Sequence, residues 1–187
     1  MQPQSIFTSY FGFALDNAVD ILTNDTVFAT HLPLWKSALK ALRVAFKSDD
    51  HDFWQSPTIF NKIAPVLTTQ LARAPTSALA VREYVYPALT ELVGVTQGSE
   101  EHAKVINGKV LEQMKAENAM IRIAAAEALK DIYAQAGEEW LNFLPESVPV
   151  IAELMEDEDE GVETAAHLLV VGIEKHLGEG ELQAMLT

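Results

Sequence analysis

The sequence predicts an all-α protein built from stacked helix pairs, and three observations support this prediction. Apolar residues recur at every third or fourth position through most of the 187-residue chain, which is the spacing of one helix face, and no segment alternates in the manner of a strand. Signals for helix starts and helix ends follow one another closely. The apolar pattern also returns after about 40 residues, the length of a helix–turn–helix repeat.

The candidate helices are separated by short connections. Start signals are Ser56 before Pro57, Ser99 before two glutamates, and Asn118, while Gly98, Gly137 and Gly178 are stop signals. Pro65 and Pro87 fall inside candidate helices and are expected to kink or split them. The predicted helices cover residues 4–22, 33–48, 57–72, 77–96, 100–116, 119–136, 146–156, 160–177 and 179–186.

A repeat of about 40 residues is carried by matched dipeptides and by the apolar residues that follow them. The dipeptides are Val81-Arg82, Ile121-Arg122 and Val162-Glu163, with a weaker fourth copy at Leu42-Arg43. The same alignment matches Leu89 with Leu129 and Val170, Leu92 with Ile132 and Ile173, and Ala124-Ala125 with Ala165-Ala166. One helix pair cannot bury its apolar face alone, so this period is typical of an α-solenoid with a right-handed superhelical stack. The alternative is an irregular helical bundle.

Composition narrows the function classes. The chain has no cysteine, which excludes a disulfide framework, a thiolate zinc site and a cysteine nucleophile, and which is typical of an intracellular protein. No apolar run approaches the roughly 18–20 residues that span a bilayer, so no membrane partner is expected. The start of the chain carries no positive charge before its first apolar stretch, so no secretory signal is predicted.

The negative charge is concentrated near the end of the chain. The formal net charge is −14, and residues 131–187 carry 14 acidic residues against a single base, Lys175. Such a field repels phosphate backbones and attracts basic proteins. The acidic run Glu156, Asp157, Glu158, Asp159 and Glu160 is therefore a candidate protein-docking surface, although a solvated loop beside an electropositive helix N-terminus explains it equally.

The predicted helix 33–48 carries a basic stripe. Lys36, Lys40, Arg43 and Lys47 follow a spacing of i, i+4, i+7 and i+11, which places four cations on one helix face. This stripe could contact RNA phosphates or an acidic helix, and the alternative is the solvated face of an ordinary amphipathic helix. No interleaved aromatic residues are evident, so an RNA contact would be independent of base sequence. The three tryptophans, Trp35, Trp54 and Trp140, are expected to pack.

No constellation of catalytic or metal-binding residues stands out. The five histidines are scattered, no His-Glu-x-x-His spacing or glycine-rich phosphate loop occurs, and Gly-x-Ser-x-Gly is absent. In the acidic run, the spacing of the carboxylates and of Gly161 does not fit a calcium-binding loop. We therefore predict no enzyme activity, no cofactor, no metal and no small-molecule substrate.

Two segments carry a resemblance to known families. The last pair, from Leu144-Pro145 through Asp157 and Asp159 to Ala165-Ala166, resembles a HEAT repeat. The phrase 144–161, together with the segment from Leu34-Trp35 to Phe53-Trp54 and Phe60, is similar to the C-terminal domain of the large HEAT-repeat subunit of the UtpA complex of the small-subunit processome. Residues 1–30 match no signature.

The resemblance implies a nucleolar scaffold that acts in pre-rRNA transcription and processing and in 18S rRNA maturation. Its partners would be other UtpA and processome proteins with basic segments, and it would contact pre-rRNA mainly indirectly. Residues 1–187 would form a single HEAT-like domain at the C-terminal end of a much longer solenoid. A second hypothesis remains open, namely a HEAT-type adaptor or transport-type protein that grips a basic cargo through its acidic face.

Overall fold

The computed structural model describes residues 6–49 and 52–186, and this part of the chain is helical with no strand. This confirms the all-α prediction. The α-helices are α1 (Ile6–Leu22), α2 (Asp25–Thr30), α3 (Leu32–Lys47), α4 (Pro57–Thr69), α5 (Ala74–Ala80), α6 (Tyr86–Val95), α7 (Glu100–Met114), α8 (Ala119–Ala136), α9 (Leu144–Met155), α10 (Glu160–Leu177) and α11 (Glu181–Leu186). Short 3₁₀ segments, Phe53–Gln55, Gln70–Arg73 and Gly137–Phe143, and a π segment, Val81–Val85, join or extend them.

Most predicted helix ends agree with the structure because their capping residues act as expected. The side chain of Ser99 accepts a hydrogen bond from the His102 N–H, and the Asn118 side chain accepts from Met120. Gly137 and Gly178 end α8 and α10 with positive φ angles of 61° and 131°. Ser56 precedes Pro57 at the start of α4, but its side chain makes no capping hydrogen bond.

The helices form two layers. In one layer α1, α4, α7 and α9 contact one another in succession, and in the other α3, α6, α8 and α10 do so. Each helix of the first layer also contacts its partner in the second, giving the pairs α1–α3, α4–α6, α7–α8 and α9–α10. The described residues therefore form a row of four antiparallel helix pairs in which each pair packs on the next.

The repeated apolar positions lie in the core between consecutive pairs. Leu89, Leu129 and Val170 are buried, as are Leu92, Ile132 and Ile173, and the small residues Ala125 and Ala166 are fully buried. Of the three dipeptide positions, Val81 and Val162 are fully buried, whereas Ile121 is half-buried. The weaker fourth copy at Leu42-Arg43 stays a prediction, because Leu42 is fully buried like Val81 and Val162 but lies at a different place along its helix. Leu42 lies near the C-terminal end of α3, whereas Ile121 and Val162 lie in the first turns of their helices.

All three tryptophans are buried, as predicted. The indole N–H of Trp35 donates to the Gln70 side-chain oxygen at 2.8 Å, that of Trp54 to the Ala45 carbonyl at 3.3 Å, and that of Trp140 to the Asn107 side-chain oxygen at 3.2 Å. Each buried indole therefore has a hydrogen-bond acceptor, which removes the cost of burying a bare polar group.

The two internal prolines behave differently from each other. Pro65 lies inside α4, which continues as one helix to Thr69, so the predicted split does not occur there. Pro87 follows the π segment, in which the Tyr86 N–H donates to the Val81 carbonyl across a widened turn. A proline lacks an N–H and crowds the carbonyl four residues earlier, and the wider turn relieves that crowding. A further break occurs at Ser77, whose φ is −155° and ψ is 70°.

Candidate charged interaction surfaces

Ion pairs link consecutive helix pairs in the α3–α6–α8–α10 layer. Arg43 and Lys47 of α3 contact Glu91 of α6, Arg82 contacts Glu127 of α8, and Arg122 of α8 contacts Asp157 before α10. At each of these three junctions the cation belongs to the earlier pair and the acid to the later one. We call this set of contacts the charge ladder.

The predicted basic stripe lies along the first step of the charge ladder. Lys47 Nζ is 2.8 Å and Arg43 Nη2 is 3.6 Å from the Glu91 carboxylate. The ammonium groups of Lys36 and Lys40 lie 5.1 Å and 5.3 Å from the centre of the Tyr84 ring, within the range of cation–π attraction. All four cations therefore face the neighbouring π segment and α6.

These contacts bear on how the stripe could meet phosphates. Lys40 and Lys47 are exposed, whereas Lys36 and Arg43 are half-buried. A phosphate on this face would compete with Glu91 for Arg43 and Lys47, so a contact with either of these two cations would replace an existing ion pair. The phosphate-contacting role of the stripe stays a prediction, and the observed role of its cations is to join the first pair to the second.

The middle step of the charge ladder is a three-residue cluster. Arg82 Nη2 donates to both oxygens of Glu127 at 2.7 Å and 2.9 Å, and the Tyr86 hydroxyl donates to Glu127 Oε2 at 2.8 Å. Burial, together with the charge and the hydrogen bond of Glu127, holds the pKa of Tyr86 well above its ordinary value. The hydroxyl therefore stays protonated and serves as a fixed donor.

The acidic run is divided between internal and outward-facing carboxylates. Asp157 Oδ1 accepts from Arg122 at 2.8 Å and from the Asp159 N–H at 3.0 Å. Asp159 is the N-cap of α10, and its Oδ1 accepts from the Gly161 and Val162 N–H groups at 2.9 Å and 3.2 Å. Within the part of the chain that the structure describes, Glu156, Glu158 and Glu160 are exposed and form no ion pair.

Arg122 holds the acidic loop against the preceding connection. Its Nη1 donates to the carbonyls of Ala116 and Glu117 at 2.9 Å and 2.8 Å, while its Nη2 reaches Asp157. The two charged side chains are only 17% and 14% exposed. One guanidinium therefore joins two successive interhelix loops, and it fixes the position from which the three free glutamates project.

The Arg122–Asp157 pair makes stability depend on pH. The hydrogen bond from Arg122 lowers the pKa of Asp157 below its ordinary value. A lowered carboxyl pKa contributes stability that is complete above the unfolded pKa of about 3.9 and disappears as pH falls through the folded value.

We expect Asp157→Asn to lower the unfolding free energy by about 1–2 kcal/mol at pH 7, because a charged hydrogen bond is lost, and we expect this difference to shrink below about pH 4. Urea unfolding at several pH values measures it. Glu158→Gln, at an exposed acid of the same loop, is the control and should follow the wild-type curve. A deficit for Asp157→Asn that persists unchanged at pH 3 would contradict a role for the ionised pair.

Among the residues that the structure describes, no group of three or more His, Asp or Glu side chains is placed to hold a metal ion. His51 and Asp50 lie outside the described residues. His102 is buried with its ring centre 4.0 Å from that of Phe60, as part of the core. Within the same described ranges, no helix has the length and apolar character needed to cross a membrane.

Sequence comparisons identify relatives along nearly the whole chain. The chain is 39% identical over 180 residues to a protein from Neurospora crassa, 40% over 198 residues to one from Aspergillus terreus, and 37% over 185 residues to one from Schizosaccharomyces pombe. All three relatives carry the same protein name, U3 small nucleolar RNA-associated protein 10. The chain resembles U3 small nucleolar RNA-associated protein 10. The matches cover 94–98% of this chain but only 10–11% of each relative.

The stretch of U3 small nucleolar RNA-associated protein 10 that matches is its C-terminal region. Two family models match parts of the chain. The BP28CT (NUC211) domain matches residues 2–54, which include α1, α2 and α3. The expectation that residues 1–30 match no family signature is therefore wrong. The Vacuolar 14 Fab1-binding region matches residues 87–173, from the start of α6 into α10. The resemblance predicted from the sequence is thereby confirmed at the level of U3 small nucleolar RNA-associated protein 10.

Sequence reasoning missed the partners of the predicted cations. Tyr84, Glu91 and Glu127 were not singled out, and Asp157 was assigned to an outward surface although its carboxylate is held by Arg122. A signal was present, because the repeat places arginine at the same position, 82 and 122, in two successive copies. A repeated arginine in an otherwise apolar motif indicates a repeated acidic partner in the next pair.

Proposed function

We propose that this protein is a non-enzymatic scaffold of the small-subunit processome, acting in pre-rRNA transcription and processing and in 18S rRNA maturation through protein–protein contacts. The observation that carries the proposal is the similarity of 94–98% of the chain, at 37–40% identity, to proteins named for association with U3 small nucleolar RNA. That name places these relatives in ribosome biogenesis, and the proposal extends the same role to this chain.

The fold supports a scaffold because stacked helix pairs offer an extended surface for contacts with other proteins. Four helix pairs packed in a row fit a HEAT-type α-solenoid with a right-handed superhelical stack. The match to the Vacuolar 14 region, which is HEAT-like, supports the same architecture. In our proposal, residues 1–187 are a single HEAT-like domain at the C-terminal end of a longer solenoid.

The proposed partners follow from the charge of the exposed side chains. Processome proteins with basic segments would dock on Glu156, Glu158 and Glu160, whose carboxylates project from a loop held by Arg122. Charge complementarity of this kind mainly raises the association rate and fixes orientation. Pre-rRNA, being a polyanion, would be contacted mainly indirectly. We propose that the protein acts in the nucleolus, within the UtpA complex.

A second candidate function is favoured by the Vacuolar 14 match. That family model is named for binding Fab1, and it covers α8, α9 and most of the acidic C-terminal third of this chain. A HEAT-type adaptor or transport-type protein that binds a basic cargo through the same acidic face would need the same exposed carboxylates on the same helical surface as the scaffold. The proteins that co-purify with the chain distinguish the two candidates.

The test neutralises the three exposed glutamates in the full-length protein. We expect Glu156→Gln, Glu158→Gln and Glu160→Gln together to reduce recovery of processome proteins with the tagged protein at least fivefold at physiological salt, because the exposed charges of the proposed docking loop are removed. Early pre-rRNA should accumulate in the same cells. Co-purification with quantitative mass spectrometry and pre-rRNA blotting measures both effects.

The matched control carries the same charge change elsewhere. Glu101, Glu112 and Glu117 are exposed glutamates in and after α7, and their replacement by Gln should leave recovery unchanged. If the variant with three neutralised glutamates recovers processome proteins normally, the acidic run is a solvated turn and not a docking surface. Recovery of transport or membrane-traffic proteins with the wild-type chain, in place of processome proteins, would favour the adaptor.

A further inference from the structure

An open groove of about 300 Å³ lies between α6 and α8, and it contains a carboxylate that has no partner. The groove is lined by Pro87, Thr90, Asp131, Ala134 and Gln135. Of these five residues only Asp131 is charged, and its side chain is half-buried. Within residues 6–49 and 52–186, the Asp131 carboxylate accepts no hydrogen bond and forms no ion pair. A carboxylate that is partly removed from water gains most from a cation placed beside it.

The repeat shows what faces this position elsewhere in the row. Asp131 follows Glu91 by 40 residues, so the two acids hold the same place in successive copies. At the first junction Glu91 is neutralised by Arg43 and Lys47 of the preceding helix. At the second junction the preceding helix contributes a proline and a threonine to the groove, and neither carries charge. Asp131 therefore lacks the internal cations that its counterpart has.

The two nearest cations are directed elsewhere. Arg82 is held by both carboxylate oxygens of Glu127. A Cβ atom at Gly172 would lie 2.8 Å from Lys130 Cγ, so the stem of Lys130 runs against α10 and not toward the groove. Both cations act on Asp131 through space without forming an ion pair with it. The counter-charge in the groove is therefore open to a side chain from outside.

The other lining groups select among cations. The Thr90 hydroxyl donates to the Pro87 carbonyl at 3.0 Å, so its oxygen keeps lone pairs that can accept. Gln135 is exposed and adds an amide oxygen as a further acceptor. A guanidinium carries five N–H donors in one plane and can pair with a carboxylate through two of them, whereas an ammonium acts as a point charge. The apolar surfaces of Pro87 and Ala134 suit the aliphatic stem of such a side chain.

We propose that the α6–α8 groove binds an arginine side chain of a partner protein, with Asp131 as the counter-charge. The surrounding charge favours a basic partner, because residues 131–187 carry 14 acidic residues against a single base. The groove is separate from the loop that carries Glu156, Glu158 and Glu160. The inference therefore holds or fails independently of the proposed role of that loop and of association with the processome.

Binding of small probes to the 187-residue protein tests the inference. The probes are Nα-acetyl-arginine amide, the lysine analogue, and the citrulline analogue, which has nearly the shape of arginine but no charge. We expect the arginine probe to cause saturable NMR shifts at Thr90 and Gln135. The citrulline probe should bind at least tenfold more weakly, and the lysine probe should bind more weakly than arginine. Absent shifts at these residues, or equal binding of either analogue, would overturn the inference.

Three variants assign the binding to the groove. Asp131→Asn keeps the shape of the side chain and should weaken binding of the arginine probe at least tenfold. Ala134→Arg places a guanidinium three residues from Asp131 on the same helix and should compete with the probe to a similar extent. Glu158→Gln removes one exposed charge outside the groove and should leave binding unchanged. Undiminished binding by a folded Asp131→Asn variant would overturn the inference.

The ionisation of Asp131 gives a second, independent measurement. Burial raises the pKa of Asp131 above its ordinary value. A cation in the groove favours the ionised carboxylate, so the arginine probe should lower this pKa, whereas the citrulline probe should leave it unchanged. Carbon-13 NMR of the Asp131 carboxyl group during a pH titration measures both effects. A pKa that is the same with and without the arginine probe would overturn the inference.

Discussion

We expect Ala125→Arg to destabilise the chain by about 4 kcal/mol, because it forces a charge and a long side chain into a close helix contact. Ala125 is fully buried on α8, the helix that packs against α6 on one side and α10 on the other. For a chain of this size, a loss of that magnitude lowers the melting temperature by about 10 °C. Calorimetry or urea unfolding measures it.

The control for this prediction is the same substitution on the same helix. Ala134 is exposed, so Ala134→Arg adds the same charge and length at a position from which the side chain can extend into solvent. Its expected cost is within about 0.5 kcal/mol. If both variants melt together near the wild-type temperature, Ala125 is not at a close junction and the stacked-pair description of α8 is wrong.

Trp54→Ala should lower the unfolding free energy by about 3–5 kcal/mol, since it removes a large ring from a filled site. The Trp54 ring is fully buried and lies edge-on to Phe46 at 4.7 Å between ring centres. It also contacts Phe11 and Phe53. The backbone N–H groups of Phe53 and Trp54 both donate to the Asp49 carboxylate, which fixes the turn that presents the ring.

Two comparisons separate ring burial from other effects of this change. Trp54→Phe keeps an aromatic ring but loses the hydrogen bond to the Ala45 carbonyl, and it should cost less than half as much as Trp54→Ala. Phe13→Ala truncates an aromatic side chain that is exposed, and in the 187-residue chain it should change stability by no more than about 0.5 kcal/mol. A Trp54→Ala variant as stable as Phe13→Ala would refute the packing described here.

The long helices were predictable because their apolar period is sustained over three or more turns. The segments that were missed are short or irregular. Asp25–Thr30 is a helix of six residues, which is too brief to show a period, although Asn24 caps it with two hydrogen bonds. The π segment Val81–Val85 depends on Pro87 and on the packing of the second pair, and neither the widened turn nor the Ser77 break leaves a local pattern.

The charged interaction surfaces were predictable only in part, because the partners of the charges are far away in the sequence. Sequence spacing shows which charges share a helix face, and the four cations of the basic stripe do so on α3. It does not show what faces them, because Glu91 is 44 residues beyond Lys47 and Asp157 is 35 beyond Arg122. The structure thereby divides the acidic run, with two aspartates fixed by neighbours and three glutamates free to meet a partner.

The direction of the charge ladder has a consequence for how such a row can change in evolution or by design. At every junction of the charge ladder the cation comes from the earlier pair and the acid from the later one. The two sides of a junction are therefore not interchangeable. A duplicated helix pair can extend the charge ladder only if it presents an acid to the pair before it and a cation to the pair after it. A pair inserted in the wrong order would bury Arg122 without its partner and oppose like charges across the seam. The order of the helix pairs is therefore determined by the charges at the junctions as well as by the shapes of the packed surfaces.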